Sequence, residues 1–326
     1  MDNEIVLVNP FYQKRLRAIV TTLAHQPLGL AYIAAILGKA GFKVRIIDAN
    51  VEQLSNEQVM KKIADIGPKI VGFTAVTSTI GNCHKLAKGV KSINPDITTI
   101  VGGIHVTAVP EGTLREYPSF DYVVRGEGEY TMLELVKALY EFTPVENVTG
   151  ITYRNKECII STPPRHLIEN LDELPFPARH LLPVDLYKSP ESEHVVQIMA
   201  SRGCPYKCIY CASYLIFGRR RRARSPKNVV DEMESVNKKY HISTIIFLDD
   251  IFTLSKNWVS NFCEEILDRN LDYLRWVCCT RCDTINKDLL NKMKKAGCKK
   301  INLGIESGSQ SILDYMRRDM TVDAIR

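Results

Sequence analysis

The chain has 326 residues, 43 Lys and Arg against 37 Asp and Glu, and 45% hydrophobic residues, a balance that excludes disordered and fibrous classes and suits two domains. No apolar run reaches the roughly 18 residues of a membrane span, and Met1-Asp2-Asn3-Glu4 is acidic where a signal peptide is basic and then apolar, so the expected location is cytoplasmic. The ten cysteines are then thiols rather than a disulfide framework, and tight Cys spacing points to metal or redox chemistry.

Through residue 142, short apolar runs alternate with helical stripes, the pattern of a parallel sheet wound by helices. Ile5 to Val8, Lys43 to Asp48, Lys69 to Val76, Ile97 to Val101 and Asp121 to Val124 read as strands. Pro27 opens the first helix, whose stripe is Leu30, Ile33, Ala34 and Leu37 and whose stop is Gly41; Ser55 caps the second, with Val59, Ile63 and Ile66 inward. Five such strands predict a flavodoxin-like doubly wound sheet, which binds ligands at the carboxyl ends of its strands. There Thr74 offers a hydroxyl, and Gly102-Gly103 lets a ligand approach backbone, although a glycine pair also simply makes a tight turn. Residues 143–193 follow as an expected semi-rigid connector. Seven of the 15 prolines fall within 144–190, around a hairpin predicted over Ile151 to Ser161 with its turn at Asn155.

Residues 194–326 carry a second βα series. Its strands are predicted at Val195 to Ala200, Thr244 to Leu248, Leu274 to Cys279 and Lys300 to Ile305, and its helices start at Ser225-Pro226, Ser255, Asn286 and Ser309. Trp258, Val259, Phe262 and Ile266 form one inner stripe, and Ile312, Leu313 and Met316 another. Repeated βα units build a barrel with its chemistry at the strands' carboxyl ends. Only four units are counted, so the barrel is expected to be incomplete. The charge is uneven too: residues 1–150 hold 15 basic and 15 acidic side chains, leaving 28 against 22 in the rest.

Cys204, Cys208 and Cys211 lie within eight residues directly after the first barrel strand. Three thiolates on one loop can hold a soft metal centre, whereas structural zinc needs a fourth ligand that the loop lacks, the nearest histidines being His194 and His241. With an aromatic residue, Tyr210, before the last cysteine, the loop resembles the CxxxCxxC loop of the radical S-adenosylmethionine enzymes, which follows the first strand of a partial (β/α) barrel. The resemblance implies that Cys204, Cys208 and Cys211 hold a 4Fe-4S cluster whose open iron binds S-adenosylmethionine. It further implies that this yields a 5′-deoxyadenosyl radical, with a flavodoxin or ferredoxin as electron donor. It places Asp249 and Asp250 after the second strand, Arg281 after the third, and Glu306 and Ser307 after the fourth as contacts for S-adenosylmethionine. Asp-Asp as a helix approach and Arg281 paired with Asp283 are the plainer readings of these residues. Gly218 to Arg224 holds five arginines; a nucleic-acid patch is disfavoured because no aromatic stacking platform interleaves them, and the expectation is a solvated loop helping to hold anionic groups.

The N-terminal sheet resembles the cobalamin-binding domain of the cobalamin-dependent radical class, through Pro27 to Tyr32, Ile47-Asp48-Ala49, Val101 to Thr107 and Val124 to Glu129. That class contains methylases and the anaerobic magnesium-protoporphyrin cyclase, and the resemblance implies cobalamin near Thr74, Gly102 and Gly103. Asp48 to Gln53 departs from the Asp-x-His-x-x-Gly loop that supplies a histidine to cobalt, so cobalt is expected without a histidine there or the domain without cobalamin. The expected function is radical methyl transfer to an unactivated carbon of a small or lipid-like substrate. A radical oxidative cyclase or rearrangement enzyme is the alternative. A methylthiotransferase needs three N-terminal cysteines, where this domain offers Cys83 with Cys158 beyond it; a zinc-stabilised nucleic-acid-binding module is the least favoured reading. The barrel strands and C-terminal extension that read substrate in the class are not seen, so the chain is expected to be a fragment of its ancestor.

Overall fold

The computed structural model describes residues 4–11, 25–156, 158–189, 192 and 194–326; Met1 to Asn3 of the acidic start lie outside them. The chain divides into two compact units, Met1–Ile168 with Leu174–Pro190 and Glu169–Glu173 with Glu191–Arg326.

In the first unit the strands are β1 Glu4–Asn9, β2 Lys43–Asp48, β3 Ile70–Thr74, β4 Thr98–Gly102, β5 Tyr122–Val124, β6 Ile151–Asn155 and β7 Cys158–Ser161. The helices are α1 Leu28–Lys39, α2 Asn56–Ile66, α3 Ile80–Ile93, α4 Ile104–Ala108, α5 Pro110–Glu116 and α6 Gly128–Glu141. The sheet order is β2-β1-β3-β4-β5-β6-β7, with β1 to β5 parallel, so the expected flavodoxin-like order is present. Central β1 is buried on both faces, which is why it reads as an unbroken apolar run. Val6 and Val8 pack with the faces of α2 and α3, and Ile5 and Leu7 with α1 and α6. Ser55 forms a capping box with Gln58 at the start of α2, and Gly67, at φ 63°, closes its end.

The segment expected as a connector is largely part of this unit. No proline falls between Ile151 and Ser161, so the hairpin keeps its N–H donors and β6 extends the sheet antiparallel to β5. Ile151 and Tyr153 enter the core, and Tyr122 stacks on Tyr153 at 6.1 Å. Farther along, the Ala178 N–H donates to the Ala31 carbonyl at 3.0 Å, which ties the proline-rich stretch to α1.

The second unit has strands β8 Val196–Ile198, β9 Ser201–Arg202, β10 Arg222–Ala223, β11 Thr244–Phe247, β12 Arg275–Thr280 and β13 Cys298–Leu303. Its helices are α7 Tyr214–Phe217, α8 Pro226–Tyr240, α9 Lys256–Asp268, α10 Lys287–Lys295, α11 Gln310–Tyr315 and α12 Val322–Ile325. A parallel sheet runs β13-β12-β11-β8, each strand followed by a helix, as the βα pattern predicts. Ser225, Ser255 and Asn286 cap α8, α9 and α10 with side-chain acceptors. Phe262 packs edge to face with Phe247, Phe252 and Trp276, as Phe247 does with Trp276, while Phe252 meets Phe247 and Trp276 at tilted angles. Trp258, expected inward, is only half-buried; it stacks on Phe262 at 5.4 Å and donates Nε1 to the Arg224 carbonyl at 2.7 Å.

The arginine run is a solvated loop only in part: Arg219 and Arg220 are exposed, while the rest is built into the fold. Arg222 and Ala223 form β10 against β9, Arg222 and Arg224 are buried, and Arg224 pairs with buried Glu232. Arg221 lies over the Trp258 ring, and Arg220 pairs with Glu169. The run also touches the cysteine loop, Arg219 donating to the Tyr206 carbonyl at 2.8 Å.

Candidate active site and cofactor cavities

In the second unit a cavity of about 340 Å³ opens at the carboxyl ends of β11, β12 and β13. Cys204, Cys208 and Cys211 all line it, with Tyr210, Asp250, Arg281, Glu306 and Arg318. Gly203 starts the loop at φ +89°, where a side chain would run into the carbonyls of Arg220 and Phe217, so the approach to Cys204 requires glycine. The Cys204 N–H reaches the Gly218 carbonyl at 3.4 Å, and the Ile209 N–H donates to the Met316 carbonyl at 3.1 Å. Cys208 is buried, and burial raises the Cys204 thiol above its ordinary value. Among the described residues no three His, Cys, Asp or Glu side chains are gathered closely enough to hold a single metal ion. Three thiols around one roomy, open cavity suit a larger soft cluster with an open coordination position.

The remaining sequence-derived positions divide. Asp250 lines the cavity and accepts from the Ser213 hydroxyl at 2.7 Å; burial raises its carboxyl. Its neighbour Asp249 points elsewhere, 3% exposed, accepting from the Ala200 N–H at 3.0 Å and the Ser201 hydroxyl. It pins the turn from β8 into β9, and burial pushes its carboxyl up to about 6. Arg281 lines the cavity but holds Asp283 with Nε at 2.9 Å and Nη2 at 2.6 Å, and the Arg318 and Asp319 carbonyls at 2.7 and 2.8 Å. Its guanidinium also lies 3.6 Å from the Tyr206 ring. With four of five donors in use, two of them on the Asp283 carboxylate, it has none left to clamp a ligand carboxylate in the same two-pronged fashion, and the pairing with Asp283 is the plainer of the two expected roles. Glu306 faces the cavity from a left-handed backbone, φ 67°. Ser307 is outside the lining, its hydroxyl oxygen accepting from the Ser309 N–H at 3.1 Å before α11. Tyr210 is in the lining and its phenol is raised by burial.

Sequence reasoning missed Arg318. It lies 110 residues from Cys208, yet its Nη1 reaches the Cys208 Sγ at 3.6 Å; no local spacing signals such a pair.

The first unit has its own cavity, about 210 Å³, lined by Asn9, His25, Gln26, Pro27, Gly29, Leu30, Asn50, Thr74, Val76 and Thr79. These residues cluster where β1, β2 and β3 end, beside the reversal of strand order between β1 and β3. Thr74 is there as expected. Gly102 and Gly103 are outside that lining; Gly103 has φ +110° and a side chain would sit 2.5 Å from the Ala75 carbonyl oxygen, so the close turn there requires glycine. Buried Asp48 organises this edge. It accepts from Asn9 Nδ2 at 2.9 Å, from the Asn50 and Val51 N–H groups at 3.1 and 3.3 Å, and from the Tyr187 hydroxyl at 2.6 Å. Burial raises the Asp48 carboxyl, and burial together with the Asp48 charge raises the Tyr187 phenol. His25, its pKa lowered by burial, presents a largely neutral ring.

Two family models match: the B12 binding domain over residues 15–136 and the Radical SAM superfamily over 198–326. An uncharacterized methyltransferase of Pyrococcus horikoshii is 39% identical over 99% of this chain and 70% of its own length. The anaerobic magnesium-protoporphyrin IX monomethyl ester cyclase of Rubrivivax gelatinosus is 36% identical over 91% of this chain, a span of 54% of that enzyme. Among solved structures, the radical S-adenosylmethionine methyltransferase TsrM of Kitasatospora setae, with cobalamin and a 4Fe-4S cluster bound, superposes with a TM-score of 0.78. It is 20% identical, covering 96% of this chain and 60% of that one.

Proposed function

Because the chain belongs to the radical S-adenosylmethionine enzymes that carry a B12-binding domain, we propose that it serves methyl transfer to an unactivated carbon of a small or lipid-like substrate. A 4Fe-4S cluster, S-adenosylmethionine and cobalamin are its cofactors in this reading. When bound, these groups supply radical chemistry at carbon and methyl-group transfer.

The observation that carries the reading is the convergence of Cys204, Cys208 and Cys211 on one cavity with Asp250, Glu306 and Arg318. The three thiolates hold the cluster. Asp250 and Glu306, two carboxylates of the lining that follow β11 and β13, accept hydrogen bonds from the ammonium and hydroxyl groups of S-adenosylmethionine. In the first unit, Asn9, Gln26, Asn50, Thr74 and Thr79 are neutral donors and acceptors that suit the amide-fringed edge of cobalamin, with Leu30 and Val76 as apolar wall. Methyl transfer is favoured over oxidative cyclisation because the relative 39% identical over 99% of this chain is named a methyltransferase, against 36% over 91% for the cyclase. A low-potential flavodoxin or ferredoxin supplies electrons. The ten cysteines are unpaired among themselves, which suits a reducing, cytoplasmic setting, and no described helix is long and apolar enough to cross a membrane.

Hydroxocobalamin added anaerobically to the whole chain and then desalted tests the reading: retention of about one cobalamin per chain supports it. Complete loss on desalting leaves a radical enzyme without cobalamin and refutes methyl transfer by this route.

A further inference from the structure

Beside Arg281, the cluster-facing wall carries a second buried cation, Arg318, whose position nothing in the cysteine spacing explains. Arg318 is 9% exposed. Its Nη2 donates to the Gly304 carbonyl at 2.6 Å, its Nη1 to the Cys208 Sγ at 3.6 Å, and its Nε is buried without a partner among the described residues. The nearest carboxylate, Glu306, is 3.7 Å away and one-third exposed, so solvent weakens that attraction more than it weakens the contact with buried sulfur.

Arg318 is also held firmly. Its N–H donates to the Leu313 carbonyl at 2.9 Å, and its carbonyl accepts from Arg281 at 2.7 Å. Both neighbours, Arg317 and Asp319, sit in the left-handed region at φ 52° and 49°. Two strained backbone positions flanking one residue persist only where surrounding contacts fix them; here Arg281 holds the Arg318 and Asp319 carbonyls, and the Arg317 N–H donates to the Asp314 carbonyl at 2.9 Å. The residue expected to clamp a carboxylate thus locks the backbone that aims a second arginine at the cluster thiolate.

We propose that Arg318 is a positioning residue that raises the reduction potential of the cluster held by Cys204, Cys208 and Cys211, through a charge-assisted N–H···S contact to Cys208. This rests on the cluster reading given under the proposed function. Reduction adds one electron, taken from a low-potential one-electron donor, with no bond made or broken and no proton moved. A fixed buried cation beside the thiolate stabilises the more negative, reduced state most, and so lets such a donor fill it.

The test is a dithionite redox titration of the anaerobically reconstituted whole chain, read by electron paramagnetic resonance. Arg318→Gln should cut the reduced-to-oxidised ratio at a fixed potential about tenfold, a fall of ~59 mV for one electron, while Arg318→Lys, which keeps the charge, should recover most of it. A fully loaded Arg318→Gln protein with an unshifted midpoint overturns the proposal. Should the Gln variant fail to load, wild-type protein labelled with 15N-arginine decides. Hyperfine coupling between a guanidinium nitrogen and the reduced cluster, lost in Arg318→Lys, supports the contact, and its absence from wild type overturns it. Wild type that takes up no iron and sulfide at all defeats the underlying cluster reading instead, and the inference falls with it.

Discussion

Both units place a cavity at the carboxyl edge of a parallel sheet, yet the two linings differ in kind. The first is neutral amides and hydroxyls around an apolar wall, organised from behind by buried Asp48. The second exposes thiols, carboxylates and arginines to the cavity itself. The same architecture therefore serves two chemistries. A large neutral ligand needs many weak, well-placed contacts, whereas a cluster and a charged sulfonium need a few ionised groups at short range.

The strongest way to break this division is Cys208→Ala, which should abolish reconstituted iron and sulfide while leaving cobalamin retention intact. Loss of both together would mean that the two cavities are not independent sites. Gly203→Ala ranks next. A methyl group at φ +89° meets two carbonyl oxygens, so the loop should be destabilised by about 3 kcal/mol or more and cluster loading should collapse with circular dichroism unchanged; normal loading would show that the loop tolerates a side chain.

Asp249 offers a pH-dependent sharpening of the contrast, since burial lifts its carboxyl from 3.8 to about 6. A raised folded-state pKa means that its contribution to stability is full below about 3.8 and lost as pH rises through about 6. Near neutrality the buried charge costs about 3 kcal/mol. Asp249→Asn does not titrate, so its Tm relative to wild type should improve as pH is raised from about 4 to 7; a constant offset would place the charge in a solvated setting. Smallest is Tyr187→Phe, which strips one donor from buried Asp48. It should cost about 2 kcal/mol and weaken cobalamin retention without touching the cluster. An unchanged Tm would remove Asp48 and Tyr187 as the frame of the first cavity.

Much of the scaffold was legible because it is written locally. Burial on both faces makes strands such as β1 and β11 apolar runs, and Ser55, Ser225, Ser255 and Asn286 cap their helices within three residues of sequence. The cysteine loop was legible for the same reason. What escaped depends on long-range pairing. Proline density suggested a connector, but the proline-free hairpin it flanks completes the first sheet. Position at a strand end marked Arg281 as a ligand clamp, while its partners Arg318 and Asp319 come from beyond α11. Of two adjacent aspartates just past β11, only Asp250 faces the cavity, while Asp249 is buried, accepting from the Ala200 N–H and the Ser201 hydroxyl. The first cavity drew on the ends of β1, β2 and β3 at once, so only Thr74 was anticipated.

The central claim, that Cys204, Cys208 and Cys211 hold a cluster that engages S-adenosylmethionine, is tested most directly by anaerobic reconstitution of the whole chain with iron and sulfide. Dithionite and S-adenosylmethionine are then added and 5′-deoxyadenosine is measured. The account predicts about four irons per chain and formation of 5′-deoxyadenosine that disappears in Cys208→Ala. Uptake of zinc without any cluster, and no 5′-deoxyadenosine, would contradict it.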